Sequence, residues 1–447
     1  MKFNSLLLSI MLASGAVSAA PASSDWVKSA ADAVEREVID LRHHIHQHPE
    51  LGNQEVKTAA LVAEHLRELG IQVRTGVAKT GVIGVLEGGR PGPTIALRAD
   101  MDALPVEEQT GLPFASKARG TYLGKEVPVM HACGHDAHTA MLLGAAKVLA
   151  ANKDRIAGTV VFLFQPAEEG AADIDFFDQT QIYGARHMIK DGALDQPKVE
   201  AIFGIHVMAQ MPSGEVRYKP GAALNSADGF RVTVTGKQTH GSMPWTGADP
   251  IVASAQIVNG LQTLVSRRVD LREGMGVVSV GTIQGGSAGN IIPETVSMTG
   301  TIRSNSPGIR DSIHSHLPPL VEGIAEANAT KAKVELANYA PVTMNDPALT
   351  AAMLPALEKA ADGKVGQLSS PSAGSEDFSY YAQKVPGLFV FLGATPAGVE
   401  MSKAANNHSP FFAVDDATLK TGVRAHVEFV LRYPQVAEQL AAARNKS

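Results

Sequence analysis

The sequence predicts an α/β fold: a mixed-sheet α/β domain interrupted by a smaller, inserted βαββαβ unit of ferredoxin-like pattern. Three observations predict it. Short apolar runs end in clusters of polar residues, amphipathic helical stretches alternate with those runs, and residues 224–338 follow a rhythm of their own.

Residues 25–47 have the periodicity of an amphipathic helix, and residues 58–69 that of a second, closed by Gly70. Residues 94–98 then read as a strand leading into Asp100 and Asp102. Residues 159–164 lead into Gln165-Pro166-Ala167-Glu168-Glu169, and residues 201–205 into His206. Between the first two strands, the stretch from Asp136 onward is helical, so His135 stands near a helix start. A late strand, residues 387–392, precedes a loop carrying His408. Strands of open α/β sheets present their chemistry at their carboxyl ends, where the loops converge on one crevice.

Residues 230–235 alternate like a half-buried strand and residues 249–269 carry a helical apolar stripe. Strands at 276–283 and 295–303 follow, joined by a Gly-rich turn, then a helix at 309–328 and a strand at 333–336. Pro318 and Pro319 are expected to break or kink that helix. The resulting division is a leader (1–19), a first part of the main domain (25–223), the inserted unit (224–338) and the second part of the main domain (339–447). The leader has Lys2, an apolar run at 6–17 and small residues at Val17-Ser18-Ala19, which predicts a cleavable secretory signal and a secreted or periplasmic protein. A dozen apolar residues are too few to span a bilayer, which needs roughly twenty.

Composition is that of a globular protein: 447 residues, 45% hydrophobic, 19% charged, net charge −6. A mildly acidic surface argues against nucleic acid or an anionic membrane as partner, and a single cysteine excludes an internal disulfide. Cys133 is a buried thiol, a reactive one or a ligand. It stands in His131-Ala132-Cys133-Gly134-His135-Asp136-Ala137-His138, and with Glu168-Glu169 this reads as a metal hydrolase. Thiolate and imidazole hold zinc-like ions, while adjacent carboxylates can divide into one ligand and one proton acceptor.

These segments, with Arg98-Ala-Asp100-Met-Asp102-Ala-Leu-Pro105, Gly236-Lys-Gln-Thr-His240-Gly and Asn407-His408-Ser-Pro410, resemble the di-metal aminoacylase and carboxypeptidase family. Within it the likeness is to the amidohydrolase branch of hippurate hydrolases, N-acyl-amino-acid hydrolases and auxin-conjugate hydrolases, over residues 34–430 in the family's order. The resemblance implies that Cys133, His135, Glu169, His206 and His408 hold two divalent metal ions, for which Zn, Mn, Co and Ni all suit a mixed S/N/O site. It implies Glu168 as general base, Asp102 as an orienting aspartate and His138 as a residue fixing a ligand's tautomer. His240 is implied to polarise the scissile carbonyl from the partner subunit of a homodimer, whose interface is the inserted lid unit. Asn290 is implied to contact substrate, Arg303 to pair with its carboxylate, and residues 375–377 to lie near that carboxylate. Where Asp100 stands, many relatives outside this branch have His.

His43, His44, His46 and His48, crowded at one helix end, are read as structural. Residues 285–289 lack the strand-to-helix context of a phosphate loop. Ser226 and Ser242 have no nucleophile setting. The expected protein is a metal-dependent amidohydrolase of small N-acyl amino acids. A carboxypeptidase or dipeptidase is the alternative, and a non-catalytic periplasmic binding protein the alternative from another class.

Overall fold

Residues 25–444 are described by the structure, a computed structural model; the leader lies outside them. Eight strands build the main sheet: β1 (Gln72–Val77), β2 (Gly81–Glu87), β3 (Arg90–Asp100), β4 (Ala157–Gln165), β5 (Ala201–Pro212), β6 (Val216–Tyr218), β11 (Val365–Gln367) and β12 (Gly387–Thr395). Their order is β1-β2-β4-β3-β5-β12-β6-β11. The four central strands β4, β3, β5 and β12 run parallel, whereas β2, β6 and β11 run opposite to them, so the sheet is mixed. Strands buried on both faces read as unbroken apolar runs, which is why β4 and β12 stood out.

Helices α1 (Asp25–Gln47), α3 (His135–Ala151) and α9 (Leu419–Arg444) pack together on one face of this sheet. In α1 the buried residues Val27, Ala31, Val34, Val38 and Leu41 recur every three or four positions and join the main core. Between them in the chain and the fold lie α2 (Val56–Glu68), ended by Gly70 at φ +71°, and α7 (Pro347–Ala360) against α9. A second apolar cluster covers the other face, with α4 (Gly184–Lys190) and α8 (Phe378–Ala382).

The inserted unit has strands β7 (Ser226–Thr235), β8 (Gly276–Gly285), β9 (Thr295–Ser304) and β10 (Lys331–Ala340), with helices α5 (Pro250–Arg268) and α6 (Pro307–Ala327). Its antiparallel order β8-β9-β7-β10 is the ferredoxin-like arrangement. Asp249 and Ser306 cap the two helices through their side chains. The expected break at Pro318 and Pro319 does not occur, because α6 runs unbroken through both. The prolines sit half-buried and exposed while Leu317 and Val321 face the core, so both rings lie outside the buried stripe of the helix. Among the described residues no helix is long and apolar enough to cross a membrane.

The histidine-rich end of α1 ties elements together. His43 pairs with Asp416 at 2.8 Å, and His46 lies 2.9 Å from Asp136 and 3.1 Å from Glu108. Burial alone lowers the affinity of His46 for its proton, but Asp136 and Glu108 outweigh it and raise the pKa to about 9. A pKa raised in the folded state stabilises fully below the unfolded value of 6.5 and loses that contribution as pH climbs through 9. We therefore expect about 3 kcal/mol of stability to disappear between pH 6 and pH 9.5, seen as a falling urea midpoint. His46→Gln should flatten that slope; an equal slope in the variant would assign it elsewhere.

Candidate active site

Four stretches of chain deliver the donor groups. Cys133 and His135 flank Gly134 at the start of α3, Glu168 and Glu169 follow β4, His206 sits within β5, and His408 lies between β12 and α9. Gly134 has φ +97°, and a Cβ there would come within 2.2 Å of Val207 Cγ2. Only glycine permits both that backbone and that approach to β5. Ala167 and His408 also have positive φ, +52° and +69°, a region that side chains rarely occupy. Glu55 holds the first of these turns: it accepts the Ala167 N–H at 2.8 Å and the Thr80 hydroxyl at 2.5 Å. The second is held by the His408 N–H, which donates to the Ala132 carbonyl at 2.7 Å, and by Asn407, whose amide donates to the carbonyls of Cys133 and Val207.

Cys133 Sγ lies 3.4 Å from His206 Nε2 and 3.2 Å from His408 Nε2, which is 2.9 Å from Glu169 Oε1. Two donor groups share the thiol, one with His135 and His206 and the other with Glu169 and His408. Further groups join His135 to Glu168 and Glu169, and to Asp100 and His138. His206 Nδ1 donates to the Val207 carbonyl at 2.7 Å, and His135 Nδ1 lies 3.2 Å from Asp102 Oδ1. Both rings thereby keep Nε2 as the lone-pair side. The other oxygen of Asp102 accepts the Glu169 N–H at 2.9 Å.

His135 Nε2 is buried with no hydrogen-bond partner among the described residues, Asp100 and Glu168 standing 3.8 and 3.9 Å away. A buried orphan acceptor is costly. Burial, reinforced by Glu169, Glu168 and Asp100, also pushes the Cys133 thiol well up. The donor set of thiol, imidazoles and carboxylates is one that a divalent cation satisfies, so these residues fit a metal.

Behind Glu168 stands a buried charge network. Arg98 donates to Asp100 at 2.6 Å, Glu376 at 2.8 Å, Asp377 at 3.1 Å and the Gln165 side-chain Oε1 at 3.0 Å. Arg98, with His135 and His138, outweighs burial at Asp100 and holds it well below the usual carboxylate range. It does not do so at Asp377, where burial and Glu376 prevail and the pKa rises to about 8. Glu168 is likewise pushed well up by burial, Glu376, Glu169 and Asp377, against Arg98. Its Oε1 accepts the Asp377 N–H at 3.3 Å, and the Tyr339 hydroxyl donates to its backbone carbonyl at 2.5 Å.

Glu168, Glu169, Cys133, His206 and His408 line one cavity of about 730 Å³, which Arg303 also borders. The hydrogen bonds of Arg303 go to neutral oxygens, those of Thr301, Ile302 and Asp228 main chain included. His240 and Asn290 are elsewhere: both are exposed, beside the two-residue pairing of Thr239–His240 with Ile291–Ile292, and neither borders the cavity. Two local expectations change. His138 makes no hydrogen bond to a ligand side chain, although its ring stands 4.7 Å from that of His206; its Nδ1 lies 2.6 Å from Asp100, and its Nε2 accepts the Val207 N–H. Glu376 and Asp377 turn inward to Arg98, and only Ser375 of residues 375–377 borders the cavity. Sequence reasoning missed Glu55, Tyr339 and the hub role of Arg98. A lone arginine inside an apolar strand was a usable signal for the last; the other two carried none.

Residues 96–432 match Peptidase family M20/M25/M40. N-acetyl-L-cysteine deacetylase of Bacillus subtilis (strain 168) is 39% identical over 386 residues, 86% of this chain and 85% of its own. Thermostable carboxypeptidase 2 of Saccharolobus solfataricus is 38% identical over 90% of this chain and 96% of its own. The crystal structure of the Bacillus subtilis YXEP protein, described as a dinuclear metal binding peptidase, superposes with a TM-score of 0.72 at 34% identity, covering 90% of this chain and 99% of that one. With the donor groups assembled as described and likeness running through most of its length, this chain belongs to Peptidase family M20/M25/M40.

Proposed function

We propose that this M20 hydrolase cleaves the amide of N-acyl amino acids to a carboxylate and a free amino acid. The observation that carries the reading is Glu168: a buried carboxylate beside a five-donor cluster, in one cavity with an arginine bonded only to neutral groups. Cys133, His135, Glu169, His206 and His408 would hold a pair of divalent ions, of which Zn, Mn, Co and Ni all suit the donors. Such ions supply Lewis-acid polarisation and make water nucleophilic near neutral pH. Glu168 takes the water's proton and returns it to the leaving amine. Asp102 keeps His135 in the tautomer that faces the site, and Arg303 binds the substrate carboxylate through its planar fork.

His240 and Asn290 are exposed and do not border this cavity, which favours their acting on the cavity of a second copy. Trp245 (77% exposed), Met243 and Ile291 surround them with exposed apolar surface, a composition typical of interaction patches. We expect a homodimer by light scattering. Trp245→Glu should give monomers and, by removing His240 from the neighbouring site, a loss of kcat of about 10²-fold, the scale of one oxyanion donor. Fully active monomers would refute the assignment.

The likeness to a carboxypeptidase keeps one alternative, cleavage of dipeptides. Release of free amino acid from N-acetyl, N-benzoyl and indole-acetyl amino acids and from dipeptides, by metal-reconstituted protein, decides between them. Turnover of the acyl amino acids supports the reading, and activity confined to dipeptides overturns it.

A further inference from the structure

Away from the donor groups the cavity changes character. The segment following Glu169 runs along its other wall and places Phe176 there, 38% exposed. Leu123, 47% exposed, also lines the cavity, from the turn of the hairpin Arg119–Tyr122 with Lys125–Pro128. Large apolar side chains left in water at one hollow are a binding surface rather than a packing surface. Phe176 is not loose. Its ring meets Phe177 edge-on at 5.3 Å and stands 6.2 Å from the ring of Tyr339. It also fills the space that a Cβ on Gly229 of β7 would need, the ring carbon lying 2.4 Å from that point. Phe177 is pinned in turn beneath the Arg231 guanidinium, 4.1 Å from its centroid.

The wall is continuous with the reacting end. Tyr339, at the end of β10, hydrogen-bonds the backbone of Glu168 with its hydroxyl while its ring faces Phe176. A single hollow thus offers a proton acceptor and donor cluster at one end, an arginine for a carboxylate, and an aromatic face beside them. Such pockets bury most of a small ligand, with few polar groups fixing its orientation.

Resting on the amidohydrolase reading, we propose that Phe176 and Tyr339 form a specificity-determining subsite that selects substrates carrying an aromatic ring. The ring could belong to the acyl group or to the amino acid. An edge-to-face or offset ring contact, with the burial that accompanies it, is strong enough for discrimination of about tenfold.

The test compares kcat/KM for N-acetyl-alanine, N-benzoyl-alanine and N-acetyl-phenylalanine, using metal-reconstituted full-length wild type, Phe176→Ala and Phe176→Tyr. Wild type is expected to prefer at least one ring-bearing substrate to N-acetyl-alanine by about tenfold. Phe176→Ala should remove most of that ratio and Phe176→Tyr restore it; the substrate whose advantage vanishes identifies the side that bears the ring. No ring preference in wild type, or an unchanged ratio in Phe176→Ala, overturns the subsite. No release from any of the three by wild type overturns the amidohydrolase reading itself, and the subsite with it.

Discussion

Glu168→Gln lowers kcat by about 10²- to 10⁴-fold in metal-reconstituted protein, the range that a positioned acid–base group contributes. Glutamine has the same shape, and its amide oxygen still accepts the Asp377 N–H that holds Glu168 in place. What it lacks is a lone pair basic enough to take a proton and hand it on. KM is expected to change little, because no binding role rests on this carboxylate. Nor should the fold suffer. Burial, with Glu376, Glu169 and Asp377 around it, already pushes the Glu168 carboxyl towards its neutral form, so a neutral amide suits the place and thermal unfolding should occur at the same temperature or higher. Loss of activity together with a marked loss of stability would mean that the variant had collapsed the site. Activity within a few-fold of wild type would place the base elsewhere.

Arg98→Met costs 3–5 kcal/mol of stability, about what breaking a buried ion pair costs when one partner is left uncompensated. Arg98 is 1% exposed and touches three carboxylates that are themselves buried. Methionine fills the aliphatic space and answers none of them. Because no water reaches these oxygens, the carboxylates must take up protons or the strand ends must move apart. The loss is expected in the urea midpoint of the main domain. It should be partly recovered by adding Asp100→Asn, which removes the stranded carboxylate that is held well below the usual range. A midpoint within 1 kcal/mol of wild type would show that the network is neutral without arginine.

The sequence was most legible where burial imposed a pattern. The central strands are apolar runs because both faces are covered, and α1 and α5 carry their stripes at helical spacing. The hairpin β1–β2 and the short strands β6 and β11 were not foreseen; they sit towards the sheet edges, where alternation is weak and few residues are committed. The α6 prolines misled because helix breaking was judged from residue type alone, whereas both fall outside the helix's buried stripe. In the site, Cys133, His135, Glu168, Glu169 and His408 were readable because they sit in compact polar motifs, and His206 because it follows an apolar run; the structure brings them together. Glu55 and Tyr339 were not, because one is a glutamate before an ordinary helix and the other ends an unremarkable strand. Their roles arise only from three-dimensional proximity to residues 166–168.

His408 and Cys133 touch although 275 residues separate them in the chain. Between them lies the whole inserted unit, and contacts of such separation form only after the intervening chain has lost much of its freedom. A chain still being synthesised, or cut before β12, holds the 131–138 motif but not the clamp of the His408 N–H on Ala132. Tight cation capture is therefore a property of the finished tertiary structure, and metal uptake during refolding would report the docking of the last quarter of the polypeptide rather than the formation of the first helices.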